Sequence, residues 1–142
     1  MAMELKATKD FTVRFNETDS MGIVWHGSYV TYFEDAREAF GMKYGFDYLT
    51  IVNQGFYVPI VDMHIEYKSM MRYGDEGRIE ITFKNCDSAK ITYEYEIFNK
   101  KTGKLVAKGS TLQVFVDMNY ELVISSPDFF IEWKIKNGIK NQ

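Results

Sequence analysis

The chain has 142 residues, 46% of them hydrophobic and 26% charged, with only two prolines, which is the composition of one globular domain built around one core. Seventeen Lys and Arg against twenty Asp and Glu leave a net charge of -3 without long runs of one sign, so the sequence offers no electrostatic footprint for nucleic acid or an anionic membrane. No run of about eighteen apolar residues is present to span a bilayer. The polar N-terminal stretch and the lone Cys86 point to the cytoplasm as the expected compartment. Two histidines and one cysteine are too few for a His/Cys metal cage, and no glycine-rich phosphate loop occurs, so neither a metal nor a cofactor is expected.

In chain order, Phe11, Val13 and Phe15 alternate with polar residues and predict a first strand. Tyr29, Phe33, Ala36, Phe40 and Tyr44 recur at helical spacing, predicting one long helix that ends near Gly41 to Gly45. Residues 46–54 suggest a further turn or two of helix. Alternation then returns. Pro59, Val61, Met63, Ile65 and Tyr67 mark a second strand, Ile79, Ile81 and Phe83 a third, and Ile91, Tyr93, Tyr95 and Ile97 a fourth. Val106, Leu112, Val114 and Val116 supply the apolar face of a fifth. Short turn segments separate the last four, as an antiparallel sheet with one wet face requires. Ser126-Pro127 opens a short terminal helix over about 127–137, closed by Gly138. The whole chain, 1–142, reads as one α+β domain in the order β-α-β-β-β-β, with its core over about 10–125. Its five-stranded antiparallel sheet wraps the single long helix, because only that sheet is large enough to bury the helical stripe. Unpaired strand edges and 16% aromatic residues favour association with a second copy.

The densest group of unusual residues joins the first strand to the helix, from Glu17 to Tyr29. Free N–H groups at a helix N-terminus favour negative charge, so a carbonyl oxygen lodged against residues 26–28 is polarised there. Asp19, a few residues upstream, supplies a carboxylate to attack the polarised carbon or to deprotonate a water. Spacing alone leaves each piece with a plainer role. An aspartate before a glycine more often closes a turn, and His26 more often serves as a structural donor. On the same footing His64 is solvated, Ser20 and Ser28 lack a nucleophile elbow, and Cys86 has no histidine near it in sequence. Glu34 is expected to pair with Arg37 along the helix and is a weaker candidate for the site.

The run Thr18-Asp19-x-x-Gly22-Ile23-Val24-Trp25-His26-x-x-Tyr29, followed by Tyr32-Phe33-Glu34-x-Ala36-Arg37, resembles the signature of the hotdog-fold acyl-CoA thioesterases of the 4-hydroxybenzoyl-CoA thioesterase type, including the Tol-Pal-associated subgroup. Val58-Pro59-Ile60-Val61, Tyr67, Ser88 with Lys90, and Val114-Phe115-Val116-Asp117 resemble its further landmarks, over about residues 10–125. Glu17 stands where that motif often has aspartate, and the aromatic tail with Tyr120, Phe129, Phe130 and Trp133 departs from it.

The resemblance implies a dimer that often doubles to a tetramer, with active sites at the subunit interface. Asp19 matches the catalytic aspartate, as nucleophile or general base. His26 matches the position whose backbone N–H is the oxyanion donor, with Gly27 beside it. Tyr29 matches an aromatic lining the site, Pro59 and Val61 match the acyl pocket, and Lys90 matches a contact for the phosphates of coenzyme A. The expected substrate is an acyl-CoA with a short, medium or aromatic acyl group. Coenzyme A then belongs to the substrate and no separate cofactor is implied. A hydratase or dehydratase of the same fold, acting on acyl thioesters, is one alternative. A module that binds acyl thioesters without turnover is another.

Overall fold

The computed structural model describes residues 4–139. Strand β1 (Lys6–Thr12) leads through a 3-10 turn (Phe15–Glu17) and a loop to helix α1 (Ser28–Tyr44) and the short helix α2 (Tyr48–Asn53). Strands β2 (Ile60–Tyr67), β3 (Glu76–Lys84), β4 (Lys90–Asn99) and β5 (Leu105–Val116) follow. A two-residue strand β6 (Leu122–Val123) and helix α3 (Asp128–Lys136) complete the described elements. The long strands are arranged β1-β3-β4-β5-β2, with antiparallel neighbours, and β6 adds to the end of β5. The sheet therefore carries six strands where the alternation in the sequence predicts five. Two residues are too short a run to show a period.

Helix α1 lies across the sheet and buries Tyr29, Tyr32, Phe33, Ala36 and Phe40, so Tyr32 joins the stripe its spacing predicts and Tyr44 at its end is only half-buried. Phe33 stacks on Tyr95 of β4 with ring centroids 4.1 Å apart and planes at 5°. Beside them the backbone of β5 comes close enough that a Cβ on Gly109 would stand 2.9 Å from the Phe33 ring and 2.3 Å from the His64 carbonyl oxygen. That strand position admits only glycine without displacement. The helix stops at Gly45, which takes the left-handed conformation (φ 67°) and returns its N–H to the Gly41 carbonyl.

The first strand lies earlier than the alternation suggests. Backbone pairing with β3 runs from Lys6 to Thr12, and Phe15 falls in the 3-10 turn with 78% of its surface exposed. Strand β5 is a second correction, because its apolar alternation has the opposite phase to its burial. Pairing sets Ile91, Tyr93 and Tyr95 opposite Gln113, Thr111 and Gly109, so Thr111 and Gln113 share the helix-side face and Leu112, Val114 and Val116 turn to the other side. The buried polar pair is satisfied: Thr111 Oγ1 lies 2.6 Å from the Tyr95 hydroxyl, and Gln113 Nε2 donates to the Val58 carbonyl at 2.8 Å. In β2, Val61 is not turned into a core. The register slips between Ile60 and Asp62, and Val61 stands 57% exposed on an edge strand.

Most of the aromatic tail packs on the core, while Tyr120 stands exposed. Phe130 and Trp133 of α3 are buried against Phe46, and the Trp133 indole N–H donates to the Tyr44 carbonyl at 2.8 Å. Lys134 is buried as well, its ammonium donating to the Cys86 carbonyl at 2.9 Å and lying 4.5 Å above the Phe130 ring. Burial pushes its pKa below the usual lysine value. Among the described residues no helix is long and apolar enough to cross a membrane.

The close approach at Gly109 makes a direct test of how α1 is seated. Gly109→Ala forces Phe33 or the neighbouring strand to shift and lowers stability by about 1–3 kcal/mol, read as a lower urea midpoint at unchanged m-value.

Candidate active site

The loop between β1 and α1 is folded back on itself by main-chain bonds. Thr18 and Val24 form an antiparallel bridge, the Asp19 N–H donates to the Ile23 carbonyl at 2.8 Å, and the Gly22 N–H returns to the Asp19 carbonyl at 3.0 Å. Val24 N–H donates to the Met71 carbonyl at 2.8 Å, tying the loop to the segment between β2 and β3. Glu17 locks the same loop to the helix. Its buried carboxylate accepts from the Arg14 N–H at 2.7 Å and from the Tyr32 hydroxyl at 3.0 Å. Its carbonyl accepts from the Trp25 N–H and from the Ser28 hydroxyl, both at 2.9 Å. Glu17 is therefore the joint of this segment, a role visible only once Tyr32 and Ser28 are brought to it.

Asp19 is half-buried on this frame. Its Oδ1 accepts from the Met21 N–H at 2.8 Å, the turn bond expected of an aspartate in this setting, while Oδ2 accepts from no donor among the described residues. At the head of α1 the Ser28 N–H donates to the Trp25 carbonyl at 2.8 Å and the Val30 N–H to the Gly27 carbonyl at 3.3 Å. The N–H groups of His26 and Gly27 donate to no acceptor among the described residues, and they stand at the positive end of a helix of 17 residues. The His26 side chain is exposed, 5.0 Å ring to ring from Trp25. The Trp25 ring packs over Gly27: a Cβ there would fall 2.3 Å from it, so a larger residue would displace the half-exposed indole.

Two tyrosines close the floor beneath the helix start. Tyr67, at the end of β2, donates its hydroxyl to the His26 carbonyl at 3.0 Å and meets Tyr29 edge-on at 5.3 Å. Tyr29 is 3% exposed, and burial, aided by Tyr67, pushes its pKa up to about 12. Asp19, His26, Gly27 and Tyr29 thus share one loop and helix start. Pro59, Val61 and Lys90 sit elsewhere. Lys90 pairs with Val114, whose N–H also donates to the Pro59 carbonyl at 3.2 Å, so these residues gather at the opposite end of β2 from Tyr67. Eight strand residues separate the two ends, roughly 23 Å.

Pro59 borders a cavity of about 800 Å³ whose walls include Phe46, Leu49 and Ile51 and whose polar lining includes Glu34, Arg37, Glu38, Asp47 and Gln113. Arg37 makes no ion pair with Glu34 among the described residues, contrary to the spacing expectation. It reaches into the sheet and donates to the Tyr95 hydroxyl at 3.1 Å. A carboxylate was the nearer partner in sequence; a buried phenol proved the nearer in space.

The model of the thioesterase-like superfamily matches residues 13–134. The chain belongs to that superfamily. Thioesterase-like relatives include YneP of Bacillus subtilis, whose name carries a provisional acyl-CoA thioesterase assignment; it is 32% identical over 125 residues, 88% of this chain and 90% of that protein. A 1,4-dihydroxy-2-naphthoyl-CoA hydrolase of Crocosphaera subtropica is 26% identical, covering 78% of this chain and 82% of its own length. Among solved structures, a DHNA-CoA thioesterase from Staphylococcus aureus is similar with a TM-score of 0.82 and 30% identity, covering 92% of this chain and 89% of that one. The fold is accordingly the hotdog-like thioesterase fold.

If Glu17 is the joint of the thioesterase-like loop, Glu17→Ala leaves the Tyr32 hydroxyl and the Arg14 N–H without their acceptor and costs about 1–3 kcal/mol. Chemical unfolding of Glu17→Ala, Tyr32→Phe and the double variant should show strong non-additivity between the two positions.

Proposed function

We propose that the protein hydrolyses an acyl-CoA thioester to a carboxylic acid and coenzyme A, with Asp19 and the head of α1 as its catalytic parts. The observation that carries this reading is one loop holding both a carboxylate with a free oxygen and two undirected N–H groups at a helix N-terminus. The thioester oxygen points at the N–H of His26 and Gly27, which hold the negative charge that develops there. Asp19 either takes a proton from the attacking water or attacks the carbonyl carbon itself. In the second route the thiolate leaves, a mixed anhydride forms on Asp19, and water cleaves it. Tyr67 fixes the His26 carbonyl and so the direction of the neighbouring N–H groups, and Tyr29 remains neutral beneath them. The reaction so drawn uses no cofactor beyond the coenzyme A of the substrate. The names of the relatives support the substrate type, and the run from Thr18 to Tyr29 supports the Tol-Pal-associated branch of the 4-hydroxybenzoyl-CoA thioesterase type as the subgroup.

Pro59, Val61 and Lys90 enter the same site only from a second copy. β2 is an edge strand with Val61 57% and Tyr67 51% exposed. Antiparallel pairing of two β2 edges carries Pro59 and Val61 of one protomer toward the Tyr67 end of its partner. The acyl group then occupies the cavity beside Pro59, and Lys90 serves the coenzyme A phosphates. This is the reading of a homodimer, or of a tetramer made of such dimers, with composite sites.

Thiol release from a panel of acyl-CoA thioesters, with Cys86 blocked, tests the chemistry. Asp19→Asn should lower kcat by about 10²–10⁴ while the protein stays folded. A panel with no turnover, or an Asp19→Asn variant as fast as the parent, leaves an acyl-thioester-binding module instead. For the assembly, Val61→Asp places a charge on the pairing edge; light scattering should then show a smaller particle, and activity should fall with it.

A further inference from the structure

We propose that the hairpin following β5 is an arm that covers the Asp19 loop of a second copy of this chain, so that each candidate site is walled on one side by its partner. The inference rests on the antiparallel pairing of two β2 edges argued above, and not on the reaction. Along the arm every second residue is a large apolar side chain left in solvent: Met118, Tyr120, Leu122 and Ile124, the last of them 85% exposed. The turn that presents them is tightly bonded. Asp117 Oδ1 accepts from the N–H groups of Asn119 and Glu121 at 2.8 and 3.0 Å, and the Asp117 N–H donates to the Glu121 carbonyl at 2.9 Å. Tyr120 stands in the left-handed region at φ 64°, alone among the described residues other than glycine. Glycine would take that conformation without strain, so the strain is tolerated for the sake of the ring. The ring stacks on Tyr57 with centroids 5.6 Å apart and planes at 12°, yet the residue remains 76% exposed.

The surface that matches this arm lies at the other end of β2. Phe15, Met21, Trp25, Met70 and Tyr73 are all exposed around the Asp19 loop. They share one frame, because Ile23 bridges to Arg72, the Val24 N–H donates to the Met71 carbonyl, and Phe15 meets Tyr73 edge-on at 6.1 Å. Within one chain the two groups cannot cover each other. Tyr57 is bonded to Val116 just before β2 begins and Met70 follows just after it ends, so the eight residues of the strand hold them apart. Two β2 edges centred on one another in antiparallel register set Ile60 opposite the partner's Tyr67, and they bring Tyr57, with Tyr120 stacked on it, beside the partner's Met70. The faces agree. Tyr57 and Tyr120 border the same cavity as Glu34 and Arg37 of α1, which puts the arm on the helix side of the sheet, where the head of α1 carries the Asp19 loop. The charges agree as well: Arg72 beside the loop and Glu121 on the arm are exposed, and among the described residues neither forms an ion pair. Opposite charges placed this way fix the register of an interface. A two-fold axis repeats the contact, so both arms and both loops are covered at once.

Two single-cysteine variants test the contact, Met70→Cys and Leu122→Cys, each made together with Cys86→Ser. A short bismaleimide should join chains when the two variants are mixed and equilibrated, and should join neither variant to itself. Sedimentation over a dilution series then reads the strength of the dimer. Arg72→Glu and Glu121→Arg should each raise the dimer Kd by about tenfold or more, and the double reversal should return it to within about threefold of the parent. Tyr120→Gly should raise the Kd by about 10–100-fold, as loss of a central aromatic anchor does. Because it also relaxes the turn, its monomer should withstand urea at least as well as the parent monomer. A dimer that forms no mixed cross-link, or a Kd that neither Tyr120→Gly nor the charge reversals move, overturns the inference and leaves the β2 pairing standing. A chain that stays monomeric at every concentration overturns both. A chain that forms no mixed cross-link but sediments with phosphatidylglycerol vesicles assigns the two patches to a bilayer and overturns the inference likewise. Absence of thioester turnover with the cross-link intact strikes the hydrolase reading alone and supports the arm.

Discussion

Everything in this molecule depends on how closely α1 approaches the sheet beneath it. The contact is set at one place, where the missing side chain of Gly109 lets Phe33 lie flat on Tyr95. A sheet twists and curls, and a single helix laid in its hollow must meet it along a line of large side chains. Tyr29, Phe33, Ala36 and Phe40 form that line. With the helix seated, its N-terminal end is fixed in space relative to β2. This allows the Tyr67 hydroxyl, from a strand far off in sequence, to reach the His26 carbonyl.

The loop that carries Asp19 is made rigid by a different device. Glu17 uses its side chain and its main chain together, tying down both the loop and the first turns of the helix. Donors and acceptors are therefore oriented before any ligand arrives, and on the proposed reading little reorganisation is left to oppose a developing charge. Aspartate and helix start are neighbours by covalent connection, but their mutual orientation is held by a residue that does no chemistry. The glutamate in place of the motif's usual aspartate is long enough to reach Tyr32, which gives its presence a structural account.

The sequence made the helix and the middle strands legible because their periods are strong: 3.6 over the stripe of α1, and two over β3 and β4. It misled at β5, where hydropathy alternates out of phase with burial. Thr111 and Gln113 are polar yet buried, because Tyr95 and the Val58 carbonyl satisfy them, and no single-strand pattern records a partner on another element. Arg37 misled for the same reason, its near glutamate in sequence losing to a distant phenol. The first strand was misplaced because Phe15, apolar and in step with Phe11 and Val13, ends up in a solvent-facing 3-10 turn. Of the candidate site, Asp19, His26, Gly27 and Tyr29 came from one continuous stretch and were readable as a group. The position of Pro59, Val61 and Lys90 relative to them depends on strand direction and on neighbouring edges, which local spacing does not encode.

Helix α3 bears on the order in which the protein can be made. Phe130 and Trp133 complete the wall that covers Phe46, Phe83 and Phe40, and the indole N–H reaches back to the last turn of α1. These side chains leave the ribosome more than eighty residues after the ones they cover at Tyr44 and Phe46. Until they emerge, a nascent chain with its helix and five long strands already present still shows an open aromatic surface. The final closure of the core is thus a late event, and until it happens the growing polypeptide is the form most in need of chaperone cover.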